Sequence, residues 1–420
     1  MRYVCGIDIG SSKIAACLGC FKGAELTSLW WDSIVTTGVS RGQLQDIPGL
    51  VACLSQLFKN LKAKSKVKIK SVSLGIASQN IITKHSQAVI ALAERGNRSV
   101  TKAHIQNVVQ QARILGSCLE DEILHAEPLN YTIDHESEVF DPLGLYGHQL
   151  KVNLYLICVR VAYINTIIEV INRLGLRLNE ITLSGLAVSQ ALFNPNRMNG
   201  ISILCDIGKD ITQLLIFNGR GLIHYQVIVA GGDNLTAKLS EALSLPYSLA
   251  EEVKISYGRI QNNREVQDKE IIVKKDTSYT TLSQNSVIQI LTEAAGCIAE
   301  EIRDAVRPHH LAISSPLSPL KTTLYVSGRT ACLDGFLELL EIVIGIPVKM
   351  AKIGNPSLST PLMRQRILSG EPTLNYLTCF GLLAESVKLS GQKSTHPIRD
   401  FRNFLSNIPE KVKEVYLEYF

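Results

Sequence analysis

Two stretches of the sequence are alike: GIDIGSSKIAACLG at Gly6 to Gly19 and ILCDIGKDITQLLIF at Ile203 to Phe217. In each stretch an apolar strand ends in Asp-Ile-Gly, a short polar turn follows, and a second apolar strand begins. That pattern predicts a β-hairpin, with Gly10-Ser11-Ser12 as the turn of the first one. Two similar predicted hairpins in one chain indicate an internal duplication of the sequence. The sequence therefore predicts two similar halves that each begin with the hairpin.

The two predicted turns suit the oxygen atoms of a polyphosphate. Backbone N–H groups and hydroxyls of a tight turn can face a cleft, which is how backbone nests hold phosphate. Asp8 and Asp206, one before each turn, would hold a hydrated Mg²⁺ between them, and Lys13 would neutralise a phosphate. A strand, an Asp, a Gly and a turn are also ordinary hairpin chemistry, so one turn alone would indicate nothing more. The pair, with Gly-Gly at 231–232 and Ser-Gly at 327–328, favours a nucleotide cleft.

The composition limits the class of protein. A chain of 420 residues exceeds what one hydrophobic core usually supports, so two or more domains are expected. Its 46% hydrophobic and 19% charged residues are typical of a folded chain, and a net charge of +5 is too small to indicate nucleic-acid binding. The ten cysteines form no paired framework and the first strand begins without a leader, so a cytosolic protein is expected. The sequence contains no run of 18 apolar residues, so no transmembrane helix is predicted.

Strands and helices alternate along the chain, which predicts an α/β protein. LVACLSQLFKNLKAK has the spacing of an amphipathic helix, and IKSVSLGIA that of a buried strand. Residues from about 81 to 161 predict a strand, a helix, a strand, a turn and a strand, which form an inserted α+β module. Cys17 and Cys20 form a lone C-x-x-C within a predicted strand. Without a second pair or a nearby His, strand packing is favoured over a metal or redox role.

In these motifs the chain resembles the actin, heat-shock chaperone and sugar kinase superfamily, and within it the FtsA family of bacterial cell-division proteins. The two hairpins and the segments AGGDNLT, SLAEEVK and VSGRTA carry the likeness to the superfamily. The likeness to the FtsA family lies in SRGQLQD at Ser40 to Asp46, LHAEPLNYTID at Leu124 to Asp134 and DPLGLYGHQLKV at Asp141 to Val152. The resemblance extends from Tyr3 to Glu385.

The resemblance implies an α/β, actin-like two-lobed fold, built from duplicated ribonuclease H-like domains with an FtsA-type inserted α+β subdomain. The first lobe would comprise residues 1–80 and 161–195, and the inserted subdomain residues 81–160. The second lobe would comprise residues 196–234 and 308–390, with residues 235–307 as its small subdomain. A linker at 391–397 and a C-terminal amphipathic helix at 398–420 would follow.

The resemblance also implies residues that bind ATP and Mg²⁺. Those that would contact the phosphates or the magnesium shell are Asp8, Gly10, Ser11, Ser12, Lys13, Asp206 and Gly208. Those that would border the adenosine are Gly231, Gly232, Glu251, Lys254 and Gly328. Asp8 and Asp206 would hold the metal through water molecules.

The sequence departs from the family pattern in the second turn and in the connecting helix. The second phosphate loop usually reads Asp-Ile-Gly-Gly-Gly-Thr, whereas Lys209 and Asp210 stand here in place of two glycines. Because glycine lets a backbone approach phosphate closely, these two residues are either tolerated or block the nest. Actins and chaperones place a Gln or Glu at the start of the connecting helix to orient water, and SGLA at Ser184 to Ala187 has neither. A catalytic residue is therefore left unassigned, and the nucleotide is expected to be an assembly ligand with at most weak hydrolysis.

The C-terminal segment predicts an amphipathic helix that would bind a membrane surface, as the resemblance implies. Its four basic residues are balanced by four acidic ones, so anionic lipid would exert no net long-range attraction. Docking of this helix on its own chain or on a partner protein is the alternative. The apolar residues expected to enter the membrane are Phe401, Leu405, Ile408, Val412, Val415, Tyr416 and Tyr419.

The resemblance implies a scaffold that polymerises on the inner face of the cytoplasmic membrane at the division site and tethers filaments of FtsZ. Other division proteins would bind the 81–160 subdomain, and no nucleic acid is expected. In the family a helix of the small subdomain carries Val-Ile-Glu-x-Arg, but this chain has Val287 to Leu291 as VIQIL and lacks the basic residue. Lys274 and Lys275 are other candidate cations for an acidic peptide. The alternatives are a pilus-assembly actin homologue that recruits a membrane protein's peptide, and an active ATPase or kinase.

Overall fold

The computed structural model describes residues 1–23, 25–92, 98–134, 138–193, 200–219, 221–261, 268–275, 278–313, 322–358 and 371–389. The strands are β1 Arg2–Ile9, β2 Lys13–Lys22, β3 Glu25–Val35, β4 Val39–Ser40, β5 Gln43–Leu44, β6 Ser71–Ile76, β7 Ile82–Ala91, β8 Asp121–Ile133, β9 Glu138–Val139, β10 Gln149–Arg160, β11 Arg177–Leu183, β12 Ile201–Ile207, β13 Thr212–Asn218, β14 Gly221–Ile228, β15 Glu270–Lys275, β16 Ser278–Ser283, β17 Thr323–Ser327 and β18 Val348–Met350. The helices are α1 Ile47–Ser65, α2 Lys102–Gly116, α3 Val161–Arg173, α4 Ser184–Leu192, α5 Gly232–Ala242, α6 Tyr247–Tyr257, α7 Gln284–Ile313, α8 Phe336–Ile344, α9 Glu371–Leu374 and α10 Leu377–Leu389. A short 3-10 helix spans Arg329–Cys332.

Two five-stranded sheets share one topology, with the orders β3-β2-β1-β6-β11 and β14-β13-β12-β17-β18. In each sheet three antiparallel strands form a meander, and its first strand then pairs in parallel with a fourth, which pairs in parallel with a fifth. The duplication predicted from the two hairpins therefore extends to both sheets in full. The α/β fold class is confirmed.

The two hairpins match each other in register as well as in sequence. Ile9 pairs with Ile14 and Ile207 with Thr212, so each turn holds four residues between its closing pairs. The N–H of Gly10 donates to the carbonyl oxygen of Lys13 at 3.1 Å, and the N–H of Gly208 donates to that of Ile211 at 3.0 Å. The two turns thus have the same backbone hydrogen bond at the same position.

The inserted module has a sheet of its own, with strand order β7-β10-β8-β9, and helix α2 packs on it. Thr101 caps α2 by accepting a hydrogen bond from the N–H of His104 at 3.2 Å. Val108 and Ala112 on the helix and Leu150 and Leu154 on the sheet are buried in a core cluster separate from the other two. The predicted insertion of strand, helix and strands is confirmed.

The largest hydrophobic cluster lies around the first sheet and continues into both neighbouring parts of the molecule. Helix α1 enters it with Leu50, Leu54, Leu57 and Leu61, whose spacing places them on one face of the helix, as the amphipathic pattern predicts. Leu215 of the second sheet also belongs to this cluster. A second cluster fills the other face of the second sheet and its helices. Among the residues described, no helix is both long and apolar enough to cross a bilayer.

Candidate functional site

A cavity of about 550 Å³ lies between the two sheets, where the turns of both hairpins meet. Its lining includes eleven of the twelve residues predicted to contact a nucleotide. They are Asp8, Gly10, Ser11, Ser12, Lys13, Asp206, Gly208, Gly232, Glu251, Lys254 and Gly328. Residues from α4, α6 and α10 complete the walls. The fold therefore brings together groups that lie more than three hundred residues apart in sequence.

Asp8 at the end of β1 lies on one side of the cavity floor. Its Oδ1 accepts a hydrogen bond from the hydroxyl of Ser184 at 3.0 Å, at the first residue of α4. Lys13, after the turn, donates to the side-chain oxygen of Asn375, and its ammonium group lies 5.9 Å from the ring centre of Tyr376. Both charged groups of the first hairpin are thus held by the connecting helix and by the segment before α10.

Asp206 at the end of β12 lies on the opposite side and has equivalent partners. Its Oδ1 accepts from the hydroxyl of Ser327 at 2.7 Å, and its Oδ2 faces the amide nitrogen of Gln213 at 3.5 Å. Each carboxylate therefore has a serine donor from the strand or helix next to it. The duplicated sheets thus supply the two halves of one charged floor.

The pKa values of these groups record their burial and their mutual repulsion. Burial, and then the charge of Asp206, raise the pKa of Asp8 to about 6. Burial also raises the pKa of Asp206. Burial lowers the pKa of Lys13 to about 8, with Asp8 opposing this shift. Two partly desolvated carboxylates that repel each other create a site for a cation.

The donor set fits a cation held through its water shell. Within the described part of the chain, no group of three or more His, Cys, Asp or Glu side chains converges for direct metal binding. Mg²⁺ keeps several of its waters and takes only one or two protein carboxylates in phosphate sites. Asp8 and Asp206 meet that requirement without further acidic ligands.

The second turn shows how Lys209 and Asp210 replace two glycines. Neither residue has a positive φ, so the backbone adopts this turn without strain. Lys209 points to Asp233, 3.8 Å away. The carboxylate of Asp210 accepts a hydrogen bond from the backbone N–H of Arg41 at 2.7 Å, across the cavity. The two residues are therefore tolerated, and one of them joins the two halves of the molecule.

Arg41 lies in the SRGQLQD segment, which this contact places at the cavity. Arg41 and Gly42 have φ values of 49° and 69°, and a Cβ at Gly42 would overlap the carbonyl oxygen of Ala77. The carbonyl oxygen of Gly42 accepts from the hydroxyl of Tyr163 at 2.8 Å. This turn needs a glycine and is fixed against the first sheet.

The opposite wall of the cavity consists of α5, α6 and the turn after β17. Lys254 donates to the carbonyl oxygen of Gly232 at 2.9 Å and to Glu251 at 2.6 Å. Gly328 has a φ of 89°, and a Cβ there would overlap the backbone of Ile207. Gly231 is not part of the lining, because it packs against the carbonyl oxygens of the second turn. Its role is to let α5 approach that turn.

The polar lining residues that the sequence did not assign to the cavity include Ser184, Gln213, Asn375 and Thr378. Gln213 gives a weak signal, because it is an amide directly before the buried apolar run LLIF of β13. Ser184 follows β11 directly, where a hydroxyl is ordinary at a helix start. Asn375 and Thr378 lie far along the chain and have no motif spacing.

Two predicted interaction regions are only partly described. Phe401 to Tyr419 lie outside the described residues, as does the side chain of Lys275. In the VIQIL segment of α7, the side chains of Val287 and Leu291 are buried in the core of the second half, and that of Ile288 is also buried. The position where the family carries a basic residue is therefore an apolar core position in this chain.

Comparison with known proteins agrees with this geometry. Residues 78–158 match the family described as the SHS2 domain inserted in FTSA, and residues 203–364 match the family described as cell division protein FtsA. Cell division protein FtsA of Buchnera aphidicola subsp. Baizongia pistaciae is 24% identical, over 99% of this chain and 98% of that protein. The protein of the same name from Neisseria meningitidis serogroup B is 25% identical, over 93% of this chain and 91% of that protein.

Solved structures show the same fold at low identity. The chain matches a PilM–PilN type IV pilus biogenesis complex with a TM-score of 0.59 and 17% identity, over 92% of this chain and 98% of the other. It matches MreB 5 of Spiroplasma citri bound to AMPPNP with a TM-score of 0.51 and 11% identity, over 94% and 98% of the two chains. A MamK double helical filament gives a TM-score of 0.51 and 11% identity, over 92% and 99%.

The three findings are consistent with one another: an actin-like pair of sheets, an inserted module of the SHS2 type, and relatives matched over nearly their whole length. The two matched families together span more than half of the chain. The chain belongs to the FtsA family of cell-division proteins.

Proposed function

We propose that the chain is an ATP-binding scaffold of bacterial cell division, which polymerises as a cytoskeletal filament at the membrane and tethers FtsZ for septum assembly. The observation that carries the nucleotide part is the cavity of about 550 Å³ that gathers both hairpin turns, Asp8, Asp206 and Lys13. The structural neighbour MreB 5 is described with AMPPNP bound, and MamK as a filament, which supports both properties for this fold. In this proposal the two sides of the nucleotide cleft are the two predicted lobes. They comprise residues 1–80 with 161–195 and residues 196–234 with 308–390.

In the proposed complex different residues of the chain contact the phosphates, the cation and the adenosine. Asp8 and Asp206 orient the waters of Mg²⁺, whose charge offsets that of the polyphosphate. Lys13 places an ammonium group beside a phosphate, and the turn at Gly10–Ser12 presents backbone N–H groups. Glu251 and Lys254 border the adenosine. Because ATP would contact both sides of the cleft, it stabilises the closed arrangement by mass action.

The nucleotide serves as an assembly ligand more than as a substrate. The start of α4 offers Ser184, whose hydroxyl is bound to Asp8, where related enzymes hold a Gln or Glu. Gln213 lies nearby, but its carbonyl oxygen accepts from the N–H of Gly185 at 3.4 Å and from the hydroxyl of Tyr225 at 3.2 Å. Both lone pairs are thus in use, and the amide has none left to orient a water. We expect at most a weak ATPase.

Binding of Mg-ATP tests the nucleotide part directly. Titration calorimetry on the full chain should show binding that Lys13→Met and Asp206→Asn each weaken at least about tenfold, since each removes a charged contact. Lys64→Met is the matched control, because Lys64 pairs with Asp32 at 2.9 Å, outside the cavity lining. It should leave the affinity unchanged. A chain that binds no Mg-ATP contradicts the proposal.

The membrane part of the proposal rests on the segment 398–420, with Phe401, Leu405, Ile408, Val412, Val415, Tyr416 and Tyr419 as its apolar face. The protein would then be cytoplasmic and peripheral, on the inner face of the membrane at the division site. Co-sedimentation with liposomes, for the full chain and a chain ending before Pro397, tests this. We expect only the full chain to pellet, and more of it with Mg-ATP. Equal behaviour of both chains would assign the segment to docking on protein instead.

The partners are proposed from family membership, with one reservation from the structure. Other division proteins would meet the 81–160 module, whose loop between β9 and β10 exposes Phe140 and Tyr146. FtsZ would meet the 235–307 subdomain, but Leu291 is buried where the family has a basic residue, and Lys274 is an exposed cation of the same subdomain. Binding of an acidic FtsZ tail peptide, compared between the unsubstituted chain and Lys274→Glu, tests this. Absence of peptide binding would favour the pilus-type scaffold.

A further inference from the structure

Asp206 lies at the end of a buried series of hydrogen bonds that begins in the inserted module. The hydroxyl of Tyr155, on β10, donates to the carbonyl oxygen of Tyr225 at 3.2 Å and accepts from its N–H at 3.0 Å. The hydroxyl of Tyr225, on β14, donates to the carbonyl oxygen of Gln213 at 3.2 Å. The amide nitrogen of Gln213 then faces Asp206 at 3.5 Å. Both tyrosines and Gln213 are buried.

Asp8 lies at the end of a second series, which begins on the neighbouring strand of the same module. Nε2 of His125, on β8, accepts from the N–H of Leu183 at 3.2 Å and lies 3.1 Å from the hydroxyl of Thr182. The next residue, Ser184, donates its hydroxyl to Asp8. Burial lowers the pKa of His125 to about 4, so the ring is neutral and Nε2 is an acceptor. The two strands of the module therefore reach one cleft carboxylate each.

The two series meet at the first turn of α4. The N–H of Gly185 donates to the carbonyl oxygen of Gln213 at 3.4 Å, so Gln213 contacts both the Asp206 series and the helix that carries Ser184. A Cβ at Gly185 would overlap the side chain of Leu215, which explains why a glycine allows this approach. A displacement of Asp206 or of Asp8 would therefore also affect the contact between Gln213 and Gly185, which both series share.

We propose that the inserted module is coupled to the cation in the cleft through these two series, with Gln213 and His125 as positioning residues. The inference deepens the proposed function and rests on it, because it names how the module would respond to the bound nucleotide. In a buried network each donor has one acceptor, so a change at one end leaves a group unpaired unless the others move. If waters of a bound Mg²⁺ donate hydrogen bonds to the carboxylates of Asp206 and Asp8, the hydrogen bonds from Gln213 and Ser184 to these carboxylates would rearrange. Strands β10 and β8, at the other ends of the two series, would then shift. The module would thereby present a different surface with and without nucleotide.

Nucleotide affinity with and without Mg²⁺ tests the positioning role. Tyr225→Phe removes only the hydroxyl that orients Gln213, and Gln213→Leu removes the amide itself. Each should weaken Mg-ATP binding about threefold to tenfold, the range for one lost hydrogen bond to an oriented polar group, and should leave binding in EDTA unchanged. Tyr131→Phe is the matched control, because Tyr131 is buried in the module outside both series and should change neither affinity. Equal losses with and without Mg²⁺ would mean a merely structural role and would contradict the proposal.

A double-mutant cycle and hydrogen exchange test the coupling itself. Tyr225→Phe combined with Asp206→Asn should bind Mg-ATP no more weakly than Asp206→Asn alone, because the series has lost its end. In the full chain, Mg-ATP should slow amide exchange in 121–133 and 149–160 at least about threefold, and Tyr155→Phe should abolish this change while Tyr131→Phe keeps it. Nucleotide binding with unchanged exchange in these strands overturns the coupling alone. Absence of nucleotide binding overturns both the coupling and the proposed function.

Discussion

Asp8 and Lys13 have pKa values that are shifted toward each other from opposite ends of the scale. With a pKa of about 6, the native Asp8 holds its proton more tightly than the unfolded chain, whose ordinary value is 3.8. The free energy of unfolding therefore falls as the pH rises from 3.8 to about 6. Lys13, at about 8 against an ordinary 10.5, is less protonated when folded, so stability rises again between those two values. At neutral pH both groups are charged at some cost, which a magnesium polyphosphate would relieve.

The first prediction is a bell-shaped pH dependence of Mg-ATP binding. The association constant should rise as Asp8 ionises near pH 6 and fall as Lys13 loses its proton near pH 8, because binding needs both charges. Titration calorimetry from pH 5 to 9 measures this, with buffer ionisation subtracted. In Asp8→Asn the acidic limb should weaken, leaving the contribution of Asp206, whose pKa burial also raises, and the basic limb should be kept. A flat profile would exclude these two groups from the binding step.

The sequence predicted the charged residues of both hairpins in the cavity and missed the residues that support them. Asp8, Lys13 and Asp206 lie beside a turn whose chemistry is local, so a short window contains the signal. Gln213 and Asn375 act only through contacts with distant segments, and an amide in a strand or a loop has no pattern of its own. Gly231, expected to border the adenosine, lies outside the lining, where it allows close packing of α5 on the second turn.

The second hairpin turn keeps the length and the hydrogen bond of the first while its side chains differ. Lys209 and Asp210 therefore change the charge of the cleft without changing the path of its backbone. Because neither residue has a positive φ, the loss of two glycines does not strain the backbone of the turn. What the pattern could not predict is the hydrogen bond from Arg41 to Asp210, because the two residues lie in turns that are 169 residues apart in sequence.

The second prediction concerns the charge at Asp210. Asp210→Asn should raise the affinity for a triphosphate about threefold to tenfold at low salt, because a negative group lining the cavity is removed while an oxygen remains for the N–H of Arg41. Glu252→Gln is the control, since Glu252 is exposed on α6 and outside the lining. Fluorescent-nucleotide titration at two salt concentrations measures both. An unchanged affinity would show that the carboxylate does not act on the phosphates.

The third prediction compares two glycines in helices. A Cβ at Gly381 in α10 would overlap the carbonyl oxygen of Ala187 in α4, so Gly381→Ala should lower the free energy of unfolding by about 1–3 kcal/mol. Gly296 in α7 has no atom within 4 Å of the added carbon, and Gly296→Ala should raise stability by about 0.5–1 kcal/mol. Denaturant unfolding measures both variants. Changes of the same sign would refute the packing argument.

The halves of the molecule share part of one hydrophobic core. Phe193, at the end of α4, packs edge-on against Phe217 at 5.5 Å and against Tyr325 at 5.4 Å, both on the second sheet. Its ring thus fastens the connecting helix to the second sheet, within the cluster that surrounds the first. The duplicated hairpin predicts the pairing of β1 with β2 and of β12 with β13. The contacts that join the halves depend on packing between distant segments and could not be read from the sequence.

The fourth prediction follows from this shared core. Phe193→Ala should lower the free energy of unfolding by about 3 kcal/mol, the usual cost of emptying an aromatic core position. Trp30 and Trp31 lie on β3, so tryptophan fluorescence follows the first half while far-UV circular dichroism follows the whole chain. Both transitions should shift together, and Phe140→Ala, at an exposed position, should shift neither. A shift in only one signal would mean that the halves unfold independently.

The hydrogen bond from Arg41 to Asp210 also bears on how steeply such a scaffold would answer to its ligand. It is formed within one chain, so its strength depends on an effective concentration fixed by the fold and is the same whatever the nucleotide level. If the closed state is already well populated without ligand, ligand binding can increase its population only a little. A ligand shifts the equilibrium between open and closed states only by the difference in its affinity for the two. In the proposed scaffold two glycines would leave closure to the nucleotide, whereas this turn would supply part of it in advance. The response to ATP would accordingly be shallower, and the assembled form would persist at lower nucleotide concentrations.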